Sequence, residues 1–139
     1  MIARALLSGM AAGLLAACSA GATTSDDDAV IGAEAGVLTI EPSALSTRLE
    51  AGEAIQLIDV RTREEFAEGH LAGAINIPVD EFDPATLPSA KGAERVLYCR
   101  SARRSGVAAE KLADATGSTA VHLEGGIIAW EEAGLPVTR

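Results

Sequence analysis

The chain predicts a three-layer α/β domain, with a central, mostly parallel sheet flanked by helices, and three observations carry that expectation. From residue 37 onward, short apolar runs of strand length alternate with segments of helical composition. Strands separated by helices pair in parallel through right-handed crossovers. The run 55–60 (IQLIDV) is mostly apolar, as befits a strand covered on both faces. Thr62, followed three positions later by Glu65, is a capping-box signature that opens a helix. The segment 37–139 has the size of one domain and contains no internal repeat.

Taken in order, 37–40 (VLTI) reads as a first strand, after which Pro42 sits where a first helical turn tolerates it. Leu45 and Leu49 share a face of that helix, and Gly52 stops it. The strand 55–60 leads into the helix capped by Thr62, which Gly69 ends. A brief strand is expected over 75–79, limited by Pro78, and 83–88 is turn-rich with at most one helical turn. The next strand is 95–99 (RVLYC), followed by a helix over 103–115 with Val107, Ala108 and Leu112 facing inward. A short strand at 121–123 and a helix at 127–132, carrying Trp130 and closed by Gly134, complete the domain.

The N-terminal residues belong to a different kind of segment. Residues 1–17 carry one charge, Arg4, followed by thirteen residues broken only by Ser8 and two glycines. A basic start and a short apolar run make a secretory signal, too short for the ~20 residues of a membrane-spanning helix. The run ends in Leu15-Ala16-Ala17-Cys18, which resembles a bacterial lipobox. That resemblance implies cleavage before Cys18, lipidation of its thiol, and an exported protein anchored on the extracytoplasmic side of a membrane. Removing residues 1–17 takes one arginine and no carboxylate, so the net charge of −9 becomes −10. Residues 18–36 lack any sustained period and read as a flexible tether. Its run Asp26-Asp27-Asp28 is a solvating spacer with no fixed geometry for a metal.

Composition excludes several classes. The acidic balance argues against a nucleic-acid binder, and 3% aromatic residues argue against a stacking platform. Two cysteines cannot make a disulfide scaffold. No Cys/His spacing fits zinc and no glycine pattern fits a nucleotide, so neither metal nor cofactor is expected.

In parallel sheets, ligands bind at the carboxyl ends of strands beside helix N-termini. Two segments fall there with reactive groups: Asp59-Val60-Arg61, and the run Cys99-Arg100-Ser101-Ala102-Arg103-Arg104-Ser105. A cysteine at a strand end, followed by a short loop feeding a helix, can sit in a nest of backbone amides. The helix dipole and the guanidinium groups of Arg100, Arg103 and Arg104 would favour its thiolate form. Once Cys18 is lipidated, Cys99 is the only thiol left, and a lone thiol in an exported protein is a candidate reactive one. The structural alternative is an inert buried Cys99 with its arginines paired to surface carboxylates.

Nearly all of 37–139 resembles a single-domain rhodanese, a thiosulfate sulfurtransferase. The residues that carry the resemblance are Asp59-Val60-Arg61 with Glu64-Glu65-Phe66, the run 69–78 (GHLAGAINIP), the Cys99 loop, and Gly125-Gly126 with Trp130. The resemblance implies that Cys99 takes sulfane sulfur as a persulfide and passes it to a nucleophilic acceptor such as cyanide or a thiol. The loop Arg100, Ser101, Ala102, Arg103 and Arg104 would cradle the persulfide and an anionic donor, and Asp59 and Arg61 would buttress that loop. Ala102 departs from the pattern, since many relatives carry Gly there, and a positive φ would strain an alanine.

Related cysteine phosphatases and arsenate reductases need a longer loop, typically with Arg six positions after Cys. Here that position is Ser105, with Arg104 one short. A non-catalytic, membrane-tethered module that binds persulfide, delivers sulfur or recognises a partner is the remaining alternative. His70 is expected to be structural, His122 a satisfied strand residue, and Glu124 either an orienter of loop amides or a solvated side chain.

Overall fold

A computed structural model describes residues 36–139. The expected signal segment 1–17, the lipidation site Cys18 and the tether up to residue 35 lie outside the described residues. The chain runs β1 (Val37–Ile40), α1 (Pro42–Glu50), β2 (Ile55–Asp59), α2 (Arg63–Glu68), β3 (Ile75–Asn76), two single 3₁₀ turns (Val79–Glu81 and Pro84–Thr86), β4 (Glu94–Tyr98), α3 (Arg103–Thr116), β5 (Ala120–Leu123) and α4 (Gly126–Glu132). The strands form one sheet in the order β1-β5-β4-β2-β3, and every pairing within it is parallel.

Alternation along the strands divides the core between the two faces of the sheet. Ile58 and Val60 join Leu97 and Cys99 against Ala108, Ala109, Leu112 and Ala113 of α3, with Phe82 beside them. Leu57, Val96, Tyr98 and Leu123 pack against Leu45 of α1 and Ile127 and Trp130 of α4, with Leu71. Cys99 therefore lies on the α3 face, while its neighbour Tyr98 lies on the other.

Local chemistry sets the helix ends. Thr62 Oγ1 accepts from the Glu65 amide and Glu65 returns a carboxylate oxygen to the Thr62 amide, the reciprocal cap its spacing predicts. Pro42 occupies the first turn of α1.

Two expectations need correction. Val107 does not face inward: it is 46% exposed, and the sheet-facing stripe of α3 is formed by Ala108, Ala109, Leu112 and Ala113. At 3.6 residues per turn the buried stripe Ala108, Ala109, Leu112 and Ala113 centres on the side of the helix opposite Val107, which therefore faces outward. The strand expected over 75–79 ends at Asn76. The Ile77 and Val79 amides still reach the carbonyls of Asp59 and Val60, but Pro78 has no amide to donate and a 3₁₀ turn starts at Val79.

Candidate active site

The carboxyl end of β4, near the middle of the sheet, delivers Cys99 to the start of the loop that opens α3. Cys99 is 1% exposed and is the free thiol of the described residues. Three arrangements fix the backbone that follows it.

The first comes from α4. The Cys99 carbonyl accepts from the Ile127 amide at 2.8 Å, and the Arg100 carbonyl accepts from the Ile128 amide at 3.2 Å. Gly126, at φ +63°, makes this approach possible: a Cβ there would fall 2.5 Å from the carbonyl carbon and oxygen of Arg100 and from the oxygen of Cys99. Gly126 is thus the contact point for the loop's backbone, whereas a Cβ on Gly125 would meet Ala129 of the following helix. With these carbonyls tied to α4, the N–H groups from Ser101 to Ser105 find no oxygen acceptor among the described residues. Successive unbonded amides at a helix start make an anion-binding nest.

The second is Ala102, which caps α3 in the left-handed region at φ +77°. The position does require a positive φ, so the alanine carries backbone strain that glycine would not. Its carbonyl accepts from the Gly106 amide at 2.9 Å and from Ser105 Oγ at 3.0 Å. Ser105 is fully buried, and its hydroxyl also meets His122 Nδ1 at 3.1 Å. Burial pushes the His122 imidazole below its ordinary pKa, so it sits neutral in the sheet as a satisfied strand residue.

The third is Arg104. Both of its terminal nitrogens bond the two carboxylate oxygens of Glu65, at 2.7 and 2.8 Å. Paired in this way and accepting from the Thr62 amide, the Glu65 carboxyl falls to about 2. Of the three loop arginines, Arg104 is engaged, whereas Arg100 and Arg103 are exposed and form no ion pair among the described residues. Sequence reasoning assigned Glu65 only to the helix cap. Its partner lies 39 positions away, and no local pattern points to the pair.

Asp59 and Arg61 are brought together, but the loop is not their direct partner. Arg61 Nε lies 3.0 Å from each Asp59 carboxylate oxygen, and Nη2 donates both to Asp59 at 2.6 Å and to the Gly69 carbonyl at 2.7 Å. The pair is buried, and the Arg61 guanidinium carbon stands 5.8 Å from the centre of the Tyr98 ring. Tyr98 is the register partner of Asp59, and its hydroxyl accepts from the Leu71 amide. Burial and the Asp59 charge push the Tyr98 phenol above its ordinary pKa. Asp59 and Arg61 thus lie against the end of β4, next to Cys99 in sequence, rather than against the loop itself. His70, expected to be structural, bonds the Phe66 carbonyl through Nδ1 and stacks on the Phe66 ring.

A parallel sheet with a cysteine at a strand end, an amide nest and a basic loop defines a class. The chain belongs to the rhodanese-like domain family, which it matches over residues 41–133. It is 41% identical over 102 residues to an uncharacterised protein of Synechocystis, an overlap of 73% of this chain and 56% of that one. The chain thus spans little more than half the length of that relative. It is 36% identical over 98 residues to a sulfurtransferase of Allochromatium vinosum, covering 70% of this chain and 92% of that protein. Among solved structures, a rhodanese-related protein from Thermoplasma volcanium superposes with a TM-score of 0.63 at 31% identity, covering 72% of this chain and 96% of that one.

Proposed function

We propose that this protein is a sulfurtransferase that carries sulfane sulfur on Cys99 from thiosulfate, or a similar donor, to a nucleophilic acceptor. The observation that carries the reading is the loop's backbone polarity. The Cys99 and Arg100 carbonyls are bonded to Ile127 and Ile128, and the amides from Ser101 to Ser105 are left for an anion beside the thiol.

The Cys99 thiolate attacks the outer sulfur of thiosulfate. The new S–S bond forms as the bond to the sulfonate sulfur breaks, and sulfite leaves with that electron pair. The enzyme is left as an anionic persulfide. An acceptor thiolate or cyanide then attacks the terminal sulfur, and Cys99 departs as thiolate. Charge resides on sulfur throughout, and fixed amide dipoles stabilise it without reorganising. Arg100 and Arg103 are the cations available to attract the donor, and Arg104 stiffens the loop through Glu65. A phosphatase reading has less support, because Ser105, six after Cys99, is buried and Arg104 is held by Glu65.

Intact-mass measurement after incubation with thiosulfate, then with cyanide, tests the reading. The reduced protein is expected to gain one sulfur and lose it as thiocyanate, over many cycles, while Cys99→Ser gains none. Loading without turnover would favour the sulfur-delivery module, and equal turnover in Cys99→Ser would overturn the role of Cys99. The proposal includes an exported protein anchored through lipid on Cys18, with each acyl chain contributing about 0.8 kcal/mol per buried CH₂. Cys18→Ala is expected to move the protein from the membrane to the soluble fraction of a bacterial host, and membrane retention would contradict the anchor.

A further inference from the structure

We propose that Ser105 and His122 are positioning residues for the transfer step. His122 Nδ1 donates to Ser105 Oγ, and Ser105 Oγ donates to the Ala102 carbonyl. This relay holds the left-handed loop residue so that the amides beside Cys99 stay aimed at the anion. It rests on the sulfur-transfer reading above and adds the groups that keep the loop in working geometry.

The direction of the relay follows from counting hydrogens. Ser105 Oγ lies 3.0 Å from the Ala102 carbonyl oxygen and 3.1 Å from His122 Nδ1, and both side chains are buried. A serine hydroxyl has a single hydrogen, and a carbonyl only accepts. Both contacts are hydrogen bonds at once only when the hydroxyl hydrogen goes to Ala102 and Nδ1 carries the ring's hydrogen. The other tautomer would draw the hydroxyl hydrogen to Nδ1 and leave two oxygens facing each other at 3.0 Å with none between them.

The relay ends on the strained point of the loop. Ala102 sits at φ +77° and has no side chain able to cap α3. At a usual helix start the N-cap side chain accepts from an amide of the first turn. Here Ser105, in the first turn, reaches back to the N-cap carbonyl instead. That carbonyl also accepts from the Gly106 amide at 2.9 Å, and the Arg100 carbonyl is tied to Ile128, so Ala102 is gripped from both sides. A trans peptide carries its C=O and N–H in opposite directions. Fixing the Ala102 oxygen toward Ser105 therefore fixes the Arg103 N–H away from it, among the unpartnered amides that begin α3. Relaxation of the alanine to negative φ would rotate a flanking peptide and take an amide out of that run. The far end of the relay is anchored in the sheet, where His122 of β5 is in register with Leu97 of β4. The imidazole lies along the first turn of α3, where a Cβ on Gly106 would stand 3.6 Å from its Cε1.

The test measures single-turnover persulfide formation from thiosulfate in the full-length protein by intact mass, beside nitrogen NMR of the histidine side chains. Ser105→Ala is expected to load about three- to tenfold more slowly, the rate equivalent of one neutral hydrogen bond. Added to Ala102→Gly, the same change should cost less than about twofold relative to Ala102→Gly alone, because glycine needs no holding at positive φ. His122→Leu should slow loading as Ser105→Ala does, and His122→Asn should recover most of that loss, since its carboxamide offers an N–H close to the place of Nδ1. In the wild-type spectrum His122 should show a protonated Nδ1, a reading that decides the matter even where a variant fails to fold. Equal losses from Ser105→Ala in the two backgrounds, or a His122 hydrogen on Nε2 alone, would overturn the proposal while wild-type loading leaves the sulfur-transfer reading standing. A wild type that forms no persulfide from thiosulfate would overturn both.

Discussion

Glu65 grips Arg104 with both carboxylate oxygens while capping α2, so a single side chain joins the helix after β2 to the helix after β4. Arg104, in the first turn of α3, thereby becomes a strut for the cysteine loop.

Replacing Glu65 by Gln is expected to cost about 1.5–3 kcal/mol at neutral pH, the range for hydrogen bonds to charged groups, in urea unfolding. The pH dependence follows from its folded-state value of about 2 against an ordinary 4.5. A lowered carboxyl contributes stability that is present above 4.5 and lost as pH falls from there towards 2. The gap between wild type and Glu65→Gln should close over that window. A constant gap down to the acid limit would assign the effect to packing.

Gly126→Ala should be among the most damaging single-methyl changes in the domain. The left-handed conformation alone costs an alanine about 1–2 kcal/mol. The methyl would also meet the Arg100 and Cys99 backbone at 2.5 Å, which must then move. Persulfide formation from thiosulfate is expected to fall more than the Tm indicates, because the displaced atoms are those of the loop. Loading at the wild-type rate would show that the loop tolerates release from α4.

Ala102→Gly should act in the opposite sense. Relief of φ +77° favours glycine by about 1–2 kcal/mol, and the greater freedom of the unfolded chain returns roughly half of that. A net gain of about 0.5–1 kcal/mol in denaturant unfolding is expected, with sulfur loading retained. A loss of stability would mean that the alanine methyl is supported by packing that outweighs its backbone cost.

What was legible in the sequence was what short-range physics determines. The cap at Thr62 and Glu65, the proline at the start of α1 and the strand-loop-helix around Cys99 each depend on residues within a few positions of one another. The parallel sheet follows from the alternation of strands and helices. What could not be read depends on packing or on distant partners. Val107 is apolar and sits beside Ala108, so composition placed it inward, whereas the buried stripe of α3 centres on the opposite side of the helix. The grip of Glu65 on Arg104 and the bonds from Ile127 and Ile128 to the loop carbonyls join segments with no shared local pattern. The Gly125-Gly126 pair carried part of the family resemblance, but nothing local to it showed that Gly126 meets the backbone after β4.

The pairing of Val37 with Ala120 has a consequence for how the protein is made. The first strand of the domain has its sheet neighbour more than eighty positions later, at Ala120–Leu123, so on a ribosome it waits without a partner until that segment has been synthesised. Closure of the sheet is therefore a late, non-local event, which slows folding relative to a hairpin-rich design of equal length.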